Sequence, residues 1–121
     1  MRRLIVTEAD FANLSLLRDR TPLRRALERA VVVASDAVPP EIVTMNSQVV
    51  LTDGKTGERR VVSIVYPADA DAAAGRISVL EALGTALLGA APGHTLECGL
   101  RVEKIIHQPE RALRAHLVLR R

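Results

Sequence analysis

Arg76-Ile-Ser-Val-Leu-Glu-Ala-Leu-Gly-Thr-Ala-Leu-Leu-Gly-Ala-Ala-Pro-Gly93 is the stretch on which the fold turns. It opens as a short β segment, with Ile77 and Val79 pointing one way and Ser78 the other. Leu80, Leu83, Leu87 and Leu88 then recur at helical spacing and predict one short helix. Gly89 stands where a left-handed cap is wanted, and Pro92-Gly93 makes the following turn. On periodicity alone this is a buried strand-to-helix corner, which many α+β domains own.

Near the N-terminus the period is helical again. Thr7 is placed to cap a helix, with Asp10 three residues later in the acid-first position. Ala9, Phe11, Leu14 and Leu17 mark its apolar side. Arg18-Asp19-Arg20-Thr21-Pro22 breaks the pattern, Thr21 caps a second helix, and Pro22 takes its first turn, where a missing N–H costs little. Leu23, Leu27, Ala30 and Val31 or Ala34 form the second stripe. Two antiparallel arms of this kind make an αα-hairpin of ~15–20 Å.

From Ile42 the period changes to two. Val43 to Leu51 reads as a strand, Asp53-Gly-Lys-Thr-Gly57 as a hairpin turn, and Arg59 to Tyr66 as the returning strand. Residues 67–75 form a small-residue loop. Its acids, Asp69 and Asp71, lack the further oxygen ligands a cation needs, so the loop reads as solvated. Beyond the corner, Thr95–Glu97 and Leu100–His107 read as two strands folded across Cys98-Gly99. The expected class is α+β: a short antiparallel helical hairpin, then an antiparallel sheet with one covering helix.

The 121 residues suit one domain, or one domain with a small appendage, and 48% of them are hydrophobic. Phe11 and Tyr66 are the only aromatic residues, so the core must be aliphatic. A lone Cys98 excludes an internal disulfide, fits a reducing compartment and reads as small, buried and inert. The first residues lack the apolar run of a signal peptide, and the uncharged run 82–96 is too short to span a bilayer. A cytoplasmic protein with no membrane partner is expected. Residues 1–40 carry seven Arg against five acids, 41–110 six bases against nine acids, and 111–121 four Arg and no acid. The basic ends allow at most weak nucleic-acid contact, since no aromatic residue interleaves them for base stacking. His94, His107 and His116 form no ligand set, and no metal or cofactor is expected.

Several short pieces, in order, carry a resemblance: Val43-Thr-Met-Asn-Ser47, Ile64-Val-Tyr-Pro67, Ile77-Ser-Val79, Gly84-Thr-Ala-Leu-Leu-Gly89 and Gln108-Pro-Glu110. Together they resemble the C-terminal domain of the Gre-type bacterial transcription factors. The match is closer still to the family's short relatives, the regulators of nucleoside diphosphate kinase, from about Leu4 to Ala112. The resemblance implies residues 1–40 as a short coiled-coil hairpin and 41–110 as a Gre-type domain of FKBP-like fold, followed by a basic tail over 111–121. It implies RNA polymerase core as partner, with the domain docked at the secondary channel and the hairpin pointing into the pore. The turn used for docking maps onto Leu80, Glu81, Ala82 and Leu83, where Ala82 replaces a usual Pro.

The hairpin tip, Arg18, Asp19, Arg20 and Thr21, departs from the paired acids with which full Gre factors bring a metal to the polymerase. One carboxylate between two guanidiniums is poorly suited to Mg²⁺. The expectation is a regulator of elongation that competes with Gre-type factors and does not stimulate transcript cleavage. A non-catalytic interaction module, acting as a homodimer or on another partner, is the alternative. A prolyl isomerase ranks lower, because two aromatic residues cannot line a prolyl pocket. A nucleotide-handling enzyme lacks its phosphate-cradling loop.

Overall fold

The computed structural model describes residues 4–17 and 21–113. The N-terminal unit begins with strand β1 (Ile5–Thr7), which runs straight into helix α1 (Glu8–Ser15). Thr7 is extended at φ −75°, ψ 159°, and its Oγ1 accepts the Asp10 N–H at 3.1 Å, as its position predicted. Helix α2 spans Thr21–Glu28 and buries Leu23 and Leu27. Each helix has eight residues, a rise of about 12 Å, shorter than the arms read from the sequence.

The second helix was expected to run on to Val31 or Ala34, and it does not. Val31–Val33 is instead a strand, β2, parallel to β1 in the register Ile5↔Val31, Val6↔Val32, Thr7↔Val33. Three consecutive valines explain the change: their branched side chains crowd the preceding helical turn and fit a pleated surface. The two helices therefore connect a parallel strand pair that ties their bases together.

The main sheet holds β3 (Gln48–Asp53), β4 (Arg59–Val65), β5 (Arg76–Ser78) and β6 (Leu100–His107) in the order β5-β4-β3-β6. β3 is antiparallel to both neighbours, but β5 runs parallel to β4, so the sheet is mixed and not antiparallel throughout. The loop between them makes the reversal. It curls through two 3-10 turns and ends at Gly75, whose φ of +76° brings its carbonyl to the Ser63 N–H. Any Cβ on Gly75 would lie 2.9 Å from the Val61 carbonyl oxygen.

Two other strands are shorter than expected. Val43–Ser47 is no strand: Asn46 takes φ +66°, and Val43 exchanges backbone hydrogen bonds with Gly89 and Ala90. Thr95–Glu97 shrinks to one bridge, Thr95↔Arg101, because the tight turn at Gly99 (φ +92°) closes directly on Leu96.

β6 departs from simple alternation. Its register against β3 slips twice, between Gln48 and Val49 and between Val50 and Leu51. Val102, Ile105 and Gln108 are buried as a result, three residues apart, while Glu103 and Lys104, like Ile106 and His107, lie together on the other side.

One aliphatic core joins every part. Leu4, Leu14, Leu23 and Leu27 of the N-terminal unit belong to the same buried cluster as Leu51, Ile64, Val102 and Ile105 of the sheet. Helix α3 (Ala82–Leu87) covers this face with Leu87 fully buried. No helix among the described residues is long and apolar enough to cross a membrane.

Candidate docking surface

The turn between β5 and α3 is fixed by its own side chains. Ser78 Oγ accepts the Leu80 N–H at 3.1 Å, and the Ser78 carbonyl accepts the Glu81 N–H at 3.1 Å. The Glu81 carboxylate reaches back to accept the Ser78 N–H at 3.2 Å. Thr85 donates its hydroxyl to the Val79 carbonyl at 2.6 Å, tying the helix to the strand exit. Four hydrogen bonds among five residues thus brace one corner.

The corner leaves Glu81 and Ala82 exposed, between half-buried Leu80 and Leu83 that pack on the core. Ala82 is the first residue of α3, the position where Pro is tolerated best. With Ala there, the reciprocal Ser78–Glu81 hydrogen bonds supply the restraint that a ring would otherwise give. Gly84 sets the depth of the corner. A Cβ there would fall on the Ser78 carbonyl oxygen and 2.9 Å from Val79 Cα, so only glycine lets α3 sit this close to its strand.

Gly89 adopts the left-handed conformation expected of it, at φ +81°, and Gly93 turns the chain at φ +88°. His94 is an exposed turn residue whose backbone N–H bonds the Ala91 carbonyl. Asp71 accepts the Ala74 N–H and pairs with Arg76 at 3.5 Å, which leaves the 67–75 loop solvated and internally satisfied. No cluster of three or more metal-ligating side chains exists among the described residues. Cys98 corrects the sequence reading, since it is exposed on its tight turn and not buried. The tip residues Arg18, Asp19 and Arg20, and the side chain of Thr21, lie outside the described residues.

A buried polar seam was not legible in the sequence. The Tyr66 hydroxyl donates to Asp10 Oδ1 at 3.3 Å, and the Thr44 hydroxyl donates to Glu110 Oε1 at 2.6 Å. Burial, and then the nearby Glu110 charge, push the Asp10 carboxyl above its ordinary range. Asp10 Oδ2 is buried without a hydrogen-bond partner among the described residues. Burial also raises the Tyr66 phenol, reinforced by Asp10. Beside this seam Gln108, fully buried, donates to the carbonyls of Pro39 at 2.8 Å and Ile42 at 2.7 Å. It fastens the connector before the sheet to the end of β6. Gln108-Pro-Glu110 could be seen in the sequence only as shared wording; its partners lie more than sixty residues away.

Comparison with known proteins gives a consistent result. Residues 38–107 match the family described as "Transcription elongation factor, GreA/GreB, C-term". The chain is 34% identical over 98 residues to the regulator of nucleoside diphosphate kinase of Escherichia coli K12, covering 74% of this chain and 72% of that protein. It is 37% identical over 75 residues to the transcription elongation factor GreA of Azorhizobium caulinodans, spanning about half (48%) of that protein. Among solved structures, the prokaryotic transcription elongation factor GreA/GreB from Nitrosomonas europaea superposes with a TM-score of 0.77 at 30% identity, over 88% of this chain and 100% of that one.

Proposed function

Because the chain belongs to the GreA/GreB transcription elongation factor family, we propose that it is a regulator of elongation that binds core RNA polymerase. In this reading it docks at the rim of the secondary channel and competes there with Gre-type factors without stimulating transcript cleavage. The observation that carries the second half is the length of the arms. Two helices of eight residues each extend only about 12 Å, too little for a metal-delivering coiled coil. The tip sequence Arg18-Asp19-Arg20-Thr21 points the same way, since one carboxylate flanked by guanidiniums holds Mg²⁺ poorly.

The proposed organisation is a coiled-coil hairpin over 1–40, an FKBP-like domain over 41–110 and a basic tail over 111–121. Leu80, Glu81, Ala82 and Leu83 form the proposed docking surface. Two features of the corner support that assignment: the exposed pair Glu81-Ala82 between leucines, and a backbone held rigid before any partner arrives. Rigid presentation lowers the ordering cost of binding. The relatives are described as a regulator and as elongation factors, which supports a non-enzymatic role.

Binding of the purified protein to core RNA polymerase, with an intact Gre factor as competitor, tests the reading. The expected result is a complex displaced by the Gre factor, weakened about tenfold by Glu81→Lys, and unable to accelerate cleavage in backtracked complexes. Failure to bind polymerase at micromolar concentration would remove the proposal, and stimulated cleavage would overturn its second half.

A further inference from the structure

The sheet has a second face, turned away from the core. β3 runs down its middle, and the register places three rows across it: Arg59·Thr52·Arg101, Val61·Val50·Lys104 and Ser63·Gln48·His107. The bulges of β6 add Glu103 and Ile106 to the same side. Arg59 confirms the arrangement by reaching over β3 to pair with Glu103 at 3.0 Å. That pairing neutralises one cation and the only acid of these rows. Arg101 and Lys104, both exposed, make no side-chain hydrogen bond or ion pair among the described residues. Val61, across β3 from Lys104, and Ile106, two residues beyond Lys104, are 48% and 46% exposed.

We propose that this outer face, centred on Val61, Arg101 and Lys104, is a docking site for an acidic protein segment that presents carboxylates and aliphatic side chains together on one of its faces. Charge complementarity fixes the sign of the partner. Arg101 and Lys104 stand three residues apart along β6, about 10 Å of extended chain, a span that an extended segment can match. The apolar rows decide its class. Val61 and Ile106 gain from an apolar partner and gain nothing against phosphates. Two unpaired cations without an aromatic residue also make a poor nucleic-acid platform, which draws on many phosphate contacts and on base stacking. Arg is, by contrast, one of the residue types enriched in protein-binding hot spots. The site is separate from the α3 corner, because α3 packs on the opposite, core-facing side of the sheet.

The test uses the full chain, a short peptide with glutamate and valine in turn at every second position so that both line one face, its glutamine-for-glutamate counterpart, and an oligouridylate of equal length. Binding is followed by amide chemical shifts and isothermal titration. The glutamate peptide is expected to bind, with shifts confined to β3, β4 and β6. Its affinity should fall about tenfold in Arg101→Glu/Lys104→Glu, and comparably in Val61→Glu, which leaves both cations in place. Equal affinity for the glutamine peptide, no binding at about 1 mM, unchanged affinity in both variants, or tighter binding of the RNA would each overturn the proposal. None of these outcomes bears on polymerase binding, which is measured separately.

Discussion

Gly84→Ala sets two effects of opposite sign against each other. Alanine in a helix interior is favoured over glycine by ~1 kcal/mol, so propensity alone makes this variant more stable. The corner says otherwise. The new methyl would fall on the Ser78 carbonyl oxygen and 2.9 Å from both Ser78 C and Val79 Cα. These are backbone atoms, and they cannot rotate aside. Val79 is held to the Val65 carbonyl at 2.9 Å, and Ser78 is held by Glu81. Relief must therefore come from α3 backing away, which draws Leu87 and Leu88 out of the core.

Overpacking of this kind costs ~1–3 kcal/mol or more. Because the contact is with main chain, the upper end applies, and about 2 kcal/mol of net destabilisation remains after the propensity gain. Urea titration measures it, with Ala86→Gly as control: Ala86 is exposed on the same helix and should cost about 1 kcal/mol through propensity alone. In a thermal melt the Gly84→Ala loss corresponds to roughly 8 °C for a chain of this size. A Gly84→Ala protein as stable as the parent would refute the reasoning that this glycine sets the strand-to-helix distance.

Other perturbations test the polar seam. Asp10 has a raised carboxyl pKa in the fold, so the folded state holds that proton more tightly than the unfolded chain, and stability falls as pH rises through the folded value. Asp10→Asn is therefore expected to raise the melting temperature at pH 7, with the gain shrinking to nothing below about pH 4, where Asp10 is protonated in both states; a variant less stable at pH 7 would show that helix-dipole stabilisation at this position outweighs burial. Gln108→Ala strips the donor from two carbonyls and should cost about 1–3 kcal/mol in chemical denaturation, with faster amide exchange in the 39–42 connector; a neutral result would mean that water replaces the side chain without loss.

What the sequence conveys here is decided by range. Thr7, Gly89 and Gly93 act on neighbours within a few residues, so their roles follow from local rules. The valines 31–33 sit beyond a helical stripe that also fits their spacing, and the deciding factor is β1, some twenty-five residues earlier. The parallel placement of β5 depends on how a loop curls, which hydrophobic period does not record. β6 misleads in another way: its two bulges convert a period-two strand into burial at every third residue. At the candidate docking corner, the leucine spacing was readable, whereas the Ser78–Glu81 and Thr85–Val79 bonds needed coordinates. Asp10 and Glu110 meet from opposite ends of the chain, so no window of sequence contains both.

The shared core also orders events during synthesis. The strands and helices of the first thirty-three residues leave the ribosome before any part of the main sheet exists. Their apolar sides, through Leu4, Leu14, Leu23 and Leu27, have no lasting cover until residues as late as Leu88 and Ile105 arrive. Gln108 then reaches back to Pro39 and Ile42 and fastens the connector. The nascent N-terminal unit must stay unpaired or weakly formed while about seventy more residues are added, several seconds at ribosomal speed. A pause or truncation before residue 105 would strand exposed leucines, and the fold closes only once residues 105–108 have been made.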